Sequence, residues 1–176
     1  MAKIKLISAA VVLVTSLTTG TIAEDKMNDL EIAHSAYTAG VLDIRYAHLA
    51  LAISENVDVK AFAQTMIRDH EAVNQQAVAL IRKLEVTPQD NELSKFLVKG
   101  AAKKREKLLR LKGKKFDCAY AQNELGYHQV VNKTVATAFI PNVTVPELKE
   151  LLGDALATFK VHERHADRMV DKLNCS

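Results

Sequence analysis

Apolar residues recur at helical spacing along most of the chain, and this pattern predicts an all-α fold. They return every three or four positions over about residues 27–53, 57–84, 114–139 and 146–173, as on the buried face of an amphipathic helix. The segments Thr87-Pro88-Gln89-Asp90 and Thr144-Val145-Pro146-Glu147 predict two helix starts, each with a capping threonine and a proline in the first turn. The first of them opens a shorter helix that runs to about Leu111. No window alternates polar and apolar residues as a half-buried strand would.

The connections between these helices predict how they pack. The first two long helices are separated by a short break, and so are the last two, which makes each pair an antiparallel hairpin. About 30 residues, including the shorter helix, join the two hairpins. One long crossover of this kind is typical of ferritin-like bundles. We therefore expect one domain, residues 24–176, folded as a ferritin-like four-helix bundle with a helical crossover between its second and third helices.

Residues 1–23 have the pattern of a cleavable signal peptide. Lys3 and Lys5 precede an apolar run of about a dozen residues, which small and apolar residues up to Ala23 follow. The run is shorter than the roughly 18 residues that a membrane span needs. We expect export to a bacterial periplasm and a mature chain without a transmembrane helix.

Cys118 and Cys175 are the two cysteines of the chain. Disulfides persist in an oxidising compartment, and the second hairpin brings the start of its first helix beside the end of its second. We therefore predict a Cys118–Cys175 disulfide. Zinc ligation by these two residues is the alternative, but their spacing is not that of a zinc site.

Polar residues interrupt the apolar stripes near the middle of the bundle. Counting from the hairpin loops at about 1.5 Å per residue places His70, His128 and His162 at similar heights, close to Glu124 and Asp43. Burying such groups without partners costs several kcal/mol each. Two alternatives follow: the groups hold a transition metal, for which zinc, iron and copper all suit imidazole and carboxylate ligands, or they form only a hydrogen-bond network.

Several motifs together resemble a known family. They are Asp43–Leu51, Val59–Met66, Arg68–His70, Phe116–Tyr120, Asn123–His128 and Ile140–Asn142. In this order they resemble a bacterial family of domains of unknown function, labelled "predicted outer membrane protein" and placed in the ferritin-like superfamily. The resemblance implies recurrent polar positions at Asp43, Asp69, His70, Asp117, Tyr120, Glu124, His128 and His162. Of these we take His70, Glu124, His128 and His162 as candidate metal-site residues, with Asp43, Asp69 and Asp117 supporting. The family usually has Glu where this chain has Asp43.

The sequence excludes several function classes. No Gly-x-Ser-x-Gly, P-loop or dinucleotide-binding motif is present. The residues three before His70, His128 and His162 are Ile67, Leu125 and Phe159, so these histidines lack the Glu-x-x-His pattern of di-iron carboxylate bundles. The one Glu-x-x-His of the sequence, Glu31 to His34, is about 18 Å along the helix from Asp43. We therefore expect metal handling or envelope stress protection and not turnover of an organic substrate. A redox enzyme is a third alternative, but it needs a cofactor that the sequence does not indicate.

Charge is balanced overall but not locally. The 24 basic and 21 acidic residues give little reason to expect a nucleic-acid partner. Residues 95–115, however, contain ten basic residues and one acid, Glu106. Such a run is either a solvated face or a surface that docks on anionic lipid headgroups. The alternative function is thus an envelope interaction protein whose polar cluster is only a hydrogen-bond network.

Overall fold

A computed structural model describes residues 26–175, and all regular structure within them is helical. The elements are α1 (Asp29–Ile53), α2 (Val57–Lys83), α3 (Glu92–Leu109), α4 (Gly113–Thr134), a π-helical segment (Val135–Phe139), α5 (Ile140–Asn142) and α6 (Pro146–Lys172). The predicted all-α bundle is confirmed. The predicted signal peptide, residues 1–23, lies outside the described residues. In residues 26–175 no helix has the length and apolar character that crossing a membrane requires.

Four long helices form the bundle, and contacts at one end of it establish their directions. Ser54, at the end of α1, donates a hydrogen bond to Asp117 Oδ1 at the start of α4 (2.5 Å). Lys172 Nζ, at the end of α6, lies 2.7 Å from Asp58 Oδ2 at the start of α2. Helices α1 and α6 therefore end where α2 and α4 begin, and each helix is antiparallel to its two neighbours.

The predicted disulfide is present at this same end. Cys118, in α4, is bonded to Cys175, after α6, with their Cα atoms 5.3 Å apart and 57 positions of sequence between them. The bond links the first and last turns of the second hairpin. It therefore fixes the end of the bundle at which the second hairpin begins and finishes and the first hairpin turns.

Helix α3 is the crossover, and it packs along the outside of α1. Asn91, just before α3, donates to the Glu31 carbonyl (3.0 Å) and accepts from Ser35 Oγ (3.1 Å). These contacts attach the start of α3 to the start of α1. The crossover then returns the chain to the disulfide end, where α4 begins.

Both threonine caps predicted from the sequence are wrong. Helix α3 begins at Glu92, and Asn91 caps it by accepting from the Ser94 amide (3.0 Å). Thr144 gives α6 no side-chain cap, because its hydroxyl donates instead to Asp29 Oδ2 (2.6 Å). In both places a tertiary contact or a better cap nearby outcompetes the local start signal.

The core divides into two halves along the bundle axis. The disulfide half contains one cluster of buried apolar side chains, among them Phe62, Met66, Phe116, Tyr120 and Met169. The loop half, at the opposite end, contains a second cluster, among them Ile32, Val135, Phe139, Leu148 and Leu152. Of the polar residues predicted from the sequence, His70, His128, His162, Asp43 and Glu124 lie between these two clusters.

Candidate metal centre

Three buried histidines from three different helices meet in the middle of the bundle. His70 comes from α2, His128 from α4 and His162 from α6, and their exposed fractions are 2%, 1% and 1%. Their ring centroids are 5.4–5.7 Å apart. One ring nitrogen from each lies within 4.8 Å of one from each of the others. We call these three residues the histidine triad.

Hydrogen bonds orient two of the three rings. His128 Nδ1 donates to the Glu124 carbonyl one turn earlier (2.9 Å), and His162 Nε2 donates to Asp69 Oδ2 (2.9 Å). Each bond leaves the other nitrogen, His128 Nε2 or His162 Nδ1, with a free lone pair. Partners of this type set the tautomer and orientation of metal-binding histidines.

His70 is held by packing instead of by hydrogen bonds. Its ring stacks on Phe159, with centroids 4.3 Å apart and planes 19° from parallel. His70 Nε2 lies 3.4 Å from Asp43 Oδ2, but neither of its ring nitrogens forms a hydrogen bond to another group of residues 26–175. The imidazole is therefore both fixed in place and free to act as a ligand.

A pair of buried carboxyl groups adjoins the triad. Asp43 and Glu124 are fully buried, and together with His128 they form a second group whose ligand atoms lie within 4.8 Å of one another. Asp43 Oδ2 is 3.6 Å from His128 Nε2. Glu124 Oε1 accepts from Asn123 (3.2 Å), whereas its other oxygen lacks a partner among the described residues. His128 therefore belongs to both groups.

Burial favours the uncharged forms of the groups in the centre. It lowers the pKa of His128 to about 4, an effect that the Glu124 carbonyl opposes and His162 increases. Burial, and then the two neighbouring imidazoles, hold the pKa of His70 well below its usual value. Burial raises the pKa of Asp43 to about 8, and burial followed by the Asp43 charge raises that of Glu124. At neutral pH the imidazoles are unprotonated, as metal ligation requires.

The donor set fits a transition metal ion. Neutral imidazole and carboxylate are ligands that zinc, copper and iron accept. His70 Nε2, His128 Nε2 and His162 Nδ1 are buried and lack hydrogen-bond partners in the described part of the chain. A buried polar atom without a partner costs free energy. A bound cation would satisfy all three nitrogens at once, which a hydrogen-bond network of these residues does not.

Two of the predicted site residues lie apart from the centre. Asp69 is on the outer side of His162, with 22% of its side chain exposed, so it orients the imidazole and does not face the triad. Hydrogen bonds from Arg68 and His162 lower its pKa against the opposing effect of burial. Asp117 lies at the disulfide end, bonded to Ser54, seven residues or about 10 Å of helix away from Glu124.

Sequence reasoning missed two residues that shape the centre. Phe159 stacks on His70, and Asn132 donates to the Phe159 carbonyl (3.2 Å) and to Glu163 Oε2 (2.6 Å). Asn132 lies one helical turn after His128, on the same buried face of α4. That spacing is the sequence signal that could have revealed it.

Comparison with solved structures gives one similar fold. The structure described as "CopM in the Cu(II)-bound form" superposes with a TM-score of 0.64, at 14% sequence identity, over 84% of this chain and 98% of CopM. No curated protein matches the sequence. The family model described as "Domain of unknown function (DUF4142)" matches residues 16–169, and the chain therefore belongs to that family.

Proposed function

We propose that this protein binds a transition metal ion at the histidine triad and handles copper in the cell envelope. The observation that carries the proposal is the convergence of three buried, uncharged imidazoles, with one ring nitrogen of each within 4.8 Å of one ring nitrogen of the others. Single buried histidines are common in helical cores. Three from separate helices, each with a buried ring nitrogen that has no hydrogen-bond partner among residues 26–175, are the arrangement that a metal ion needs.

Copper is the ion that we propose first. The similar fold of CopM was determined in a Cu(II)-bound form, and imidazole ligands bind copper more tightly than most other divalent first-row metals. His70, His128 and His162 would hold the ion, with Asp43 and Glu124 beside it. Copper is the cargo in this proposal: the residues of the chain bind the ion and shield it from solvent.

The test is metal titration of the mature protein after chelator treatment. Cu(II), Cu(I) under reducing conditions and Zn(II) are each added, and affinity is measured by competition with a chromophoric chelator. We expect His128→Ala to weaken copper binding by at least about 100-fold, and Asp69→Asn, which removes only the orienting carboxylate, by about 10- to 100-fold. His48→Ala is the matched control, since His48 is exposed on α1. Equal copper affinity in His128→Ala and wild type would overturn the proposal.

Export is part of the same proposal. Its support is the basic and apolar pattern of residues 1–23 together with the disulfide Cys118–Cys175, which is typical of oxidising compartments. Cell fractionation followed by mass spectrometry of the intact protein tests it. We expect a periplasmic protein that begins near Glu24. A cytoplasmic protein that keeps residues 1–23 would contradict it.

A second candidate function is docking on an anionic membrane surface through α3. Positions 96, 99, 103, 107 and 110 follow one line along this helix, opposite its buried residues Ser94, Ala101 and Leu108. The line consists of Phe96, 72% exposed, and the exposed basic residues Lys99, Lys103, Lys107 and Arg110. We call this face the basic stripe. Each lysine or arginine near anionic lipid contributes about 1 kcal/mol to the free energy of membrane binding.

Vesicle binding tests this second candidate independently of metal. We expect salt-sensitive binding to vesicles that contain phosphatidylglycerol and weaker binding to phosphatidylcholine alone. Lys103→Glu/Lys107→Glu should weaken binding by at least about tenfold. Lys149→Glu/Lys160→Glu, which changes the net charge equally at exposed positions of α6, should weaken it much less. Equal losses in the two double variants would show a charge effect without a docking face.

A further inference from the structure

We propose that the cavity in the loop half of the bundle binds the alkyl chain of an anionic amphiphile, such as a medium-chain carboxylate. The cavity has a volume of about 180 Å³ and is enclosed by α1, α2, α4 and α6, with the start of α3 at one side. Its walls are apolar side chains almost throughout. An apolar cavity of about 150 Å³ stays dry and accepts hydrocarbon molecules, so an alkyl chain suits this one.

The shape of the cavity favours a chain over a compact molecule. Its lining on α2 extends from His70 to Leu84, and on α6 from Leu148 to Phe159. At 1.5 Å per residue these stretches span roughly 21 and 16 Å of helix. The space is therefore elongated parallel to the bundle axis, as an extended alkyl chain is.

One side of the cavity reaches the surface beside the basic stripe. Phe96 and Val130, which line it, are large apolar residues with exposed fractions of 72% and 63%. Lys99, exposed, follows Phe96 by one helical turn on the same face of α3. A chain that enters here would leave an anionic head group in solvent near a cationic side chain. This charge complementarity is why we propose a carboxylate amphiphile and not a neutral hydrocarbon.

The inner end of the cavity reaches the histidine triad. His70 and His128 are part of its lining, so the end of a bound chain would lie against their rings. The inference goes beyond metal binding and does not depend on it, because the apolar walls and the opening are complete without an ion. The metal-free protein is therefore the right material for the test.

The test uses an uncharged fluorescent ligand, N-phenyl-1-naphthylamine, with the chelator-treated mature protein. We expect saturable binding at one site per chain and displacement by sodium decanoate below its micelle concentration. We also expect 1-decanol to displace the ligand less effectively than decanoate, and Lys99→Ala to remove that difference. No saturable binding by the wild type, or no displacement by decanoate, would overturn the inference. Equal displacement by the alcohol would overturn the assigned head group.

Variants that fill the cavity supply the structural control. Ala77 on α2 and Ala36 on α1 line it and are only partly buried, so Ala77→Phe and Ala36→Phe each place a ring in the space. Ala61→Phe, at an exposed position of α2 away from the cavity, is the matched control. We expect the first two to lose ligand binding while circular dichroism shows a folded helical protein, and the control to bind as the wild type does. Unchanged binding in both filled variants would place the ligand elsewhere.

All of these variants keep the three histidines. Failure of copper binding together with normal ligand binding would contradict the proposed metal function alone. Copper binding with no saturable ligand site would contradict the cavity inference alone.

Discussion

The two halves of the bundle are built differently, although the same four long helices run through both. In the disulfide half the rings of Phe116 and Tyr120 stack with centroids 6.2 Å apart, Phe62 packs edge-on against Tyr120, and a covalent bond joins the ends of α4 and α6. In the loop half an elongated cavity lies along the bundle axis. The histidine triad lies where the two halves meet. One half is therefore closely packed and covalently closed, and the other leaves space beside the triad.

A matched pair of substitutions tests this difference most strongly. Phe116 and Phe139 are both buried, with exposed fractions of 0% and 4%, but only Phe139 lines the cavity. We expect Phe116→Ala to lower the free energy of unfolding by about 4 kcal/mol, and Phe139→Ala by only about 2 kcal/mol, because a side chain beside an existing space loses fewer packing contacts. Urea denaturation measures both. Equal losses would mean that the two halves are packed alike.

Removing the covalent bond is the next largest expected effect. The Cys118–Cys175 disulfide restrains a loop of 57 residues in the unfolded chain, so Cys118→Ser/Cys175→Ser should cost about 3 kcal/mol. At the opposite end Asp29 accepts hydrogen bonds from Thr144 and Val145, and Asp29→Ala should cost about 1 kcal/mol, as the loss of a helix cap does. Copper affinity should stay unchanged in both variants. Loss of copper binding in the variant without the disulfide would show that this bond itself sets the ligand geometry.

The pH dependence of stability tests the boundary between the halves. The pKa of His128 is about 4 in the folded metal-free protein and near 6.5 in the unfolded chain. The unfolded chain therefore takes up a proton that the folded protein does not, and stability falls as the pH drops below 6.5. On going from pH 8 to pH 5, proton uptake by this one group in the unfolded chain should lower the free energy of unfolding by about 2 kcal/mol.

His128→Gln removes that contribution. The difference in unfolding free energy between wild type and variant should thus shrink by about 2 kcal/mol on acidification from pH 8 to pH 5. The contribution of Asp43 to the pH dependence of stability has the opposite sign, because its raised pKa of about 8 favours the folded protein as the pH falls. Asp43→Asn should therefore make the acid loss steeper. Urea titrations at a series of pH values, with chelator present, measure both slopes.

Periodicity predicted the helices and the facing of their polar residues, because both depend on local spacing along the chain. His70, Glu124 and His128 interrupt apolar stripes, and a stripe shows which side of a helix is buried. The disulfide followed from the expected oxidising compartment and the topology of the second hairpin. These predictions needed no knowledge of how side chains from different helices fit together.

Contacts between helices and the quality of packing were not predictable in the same way. Asp117 shares a stripe with Glu124, but its partner is Ser54 at the disulfide end, a contact that depends on where α1 stops. Asp69 lies off the apolar stripe of α2, and only the approach of α6 makes it the partner of His162. The cavity was invisible to sequence reasoning, since apolar residues that line a space and those that fill one have the same pattern.

The contact between Asp29 and the start of α6 has a consequence for how the molecule folds. Val145, before the first turn of α6, has no side-chain cap of its own. Its amide donates a hydrogen bond to the carboxylate of Asp29, 116 positions earlier in the chain (2.8 Å). Residues at the start of α6 therefore gain this bond only after α1 has docked. Their amide protons should exchange by global opening of the bundle and not by local fraying. The first turn of the last long helix is thus cooperative with the first helix, and the two ends of the chain's helical region fold as one unit.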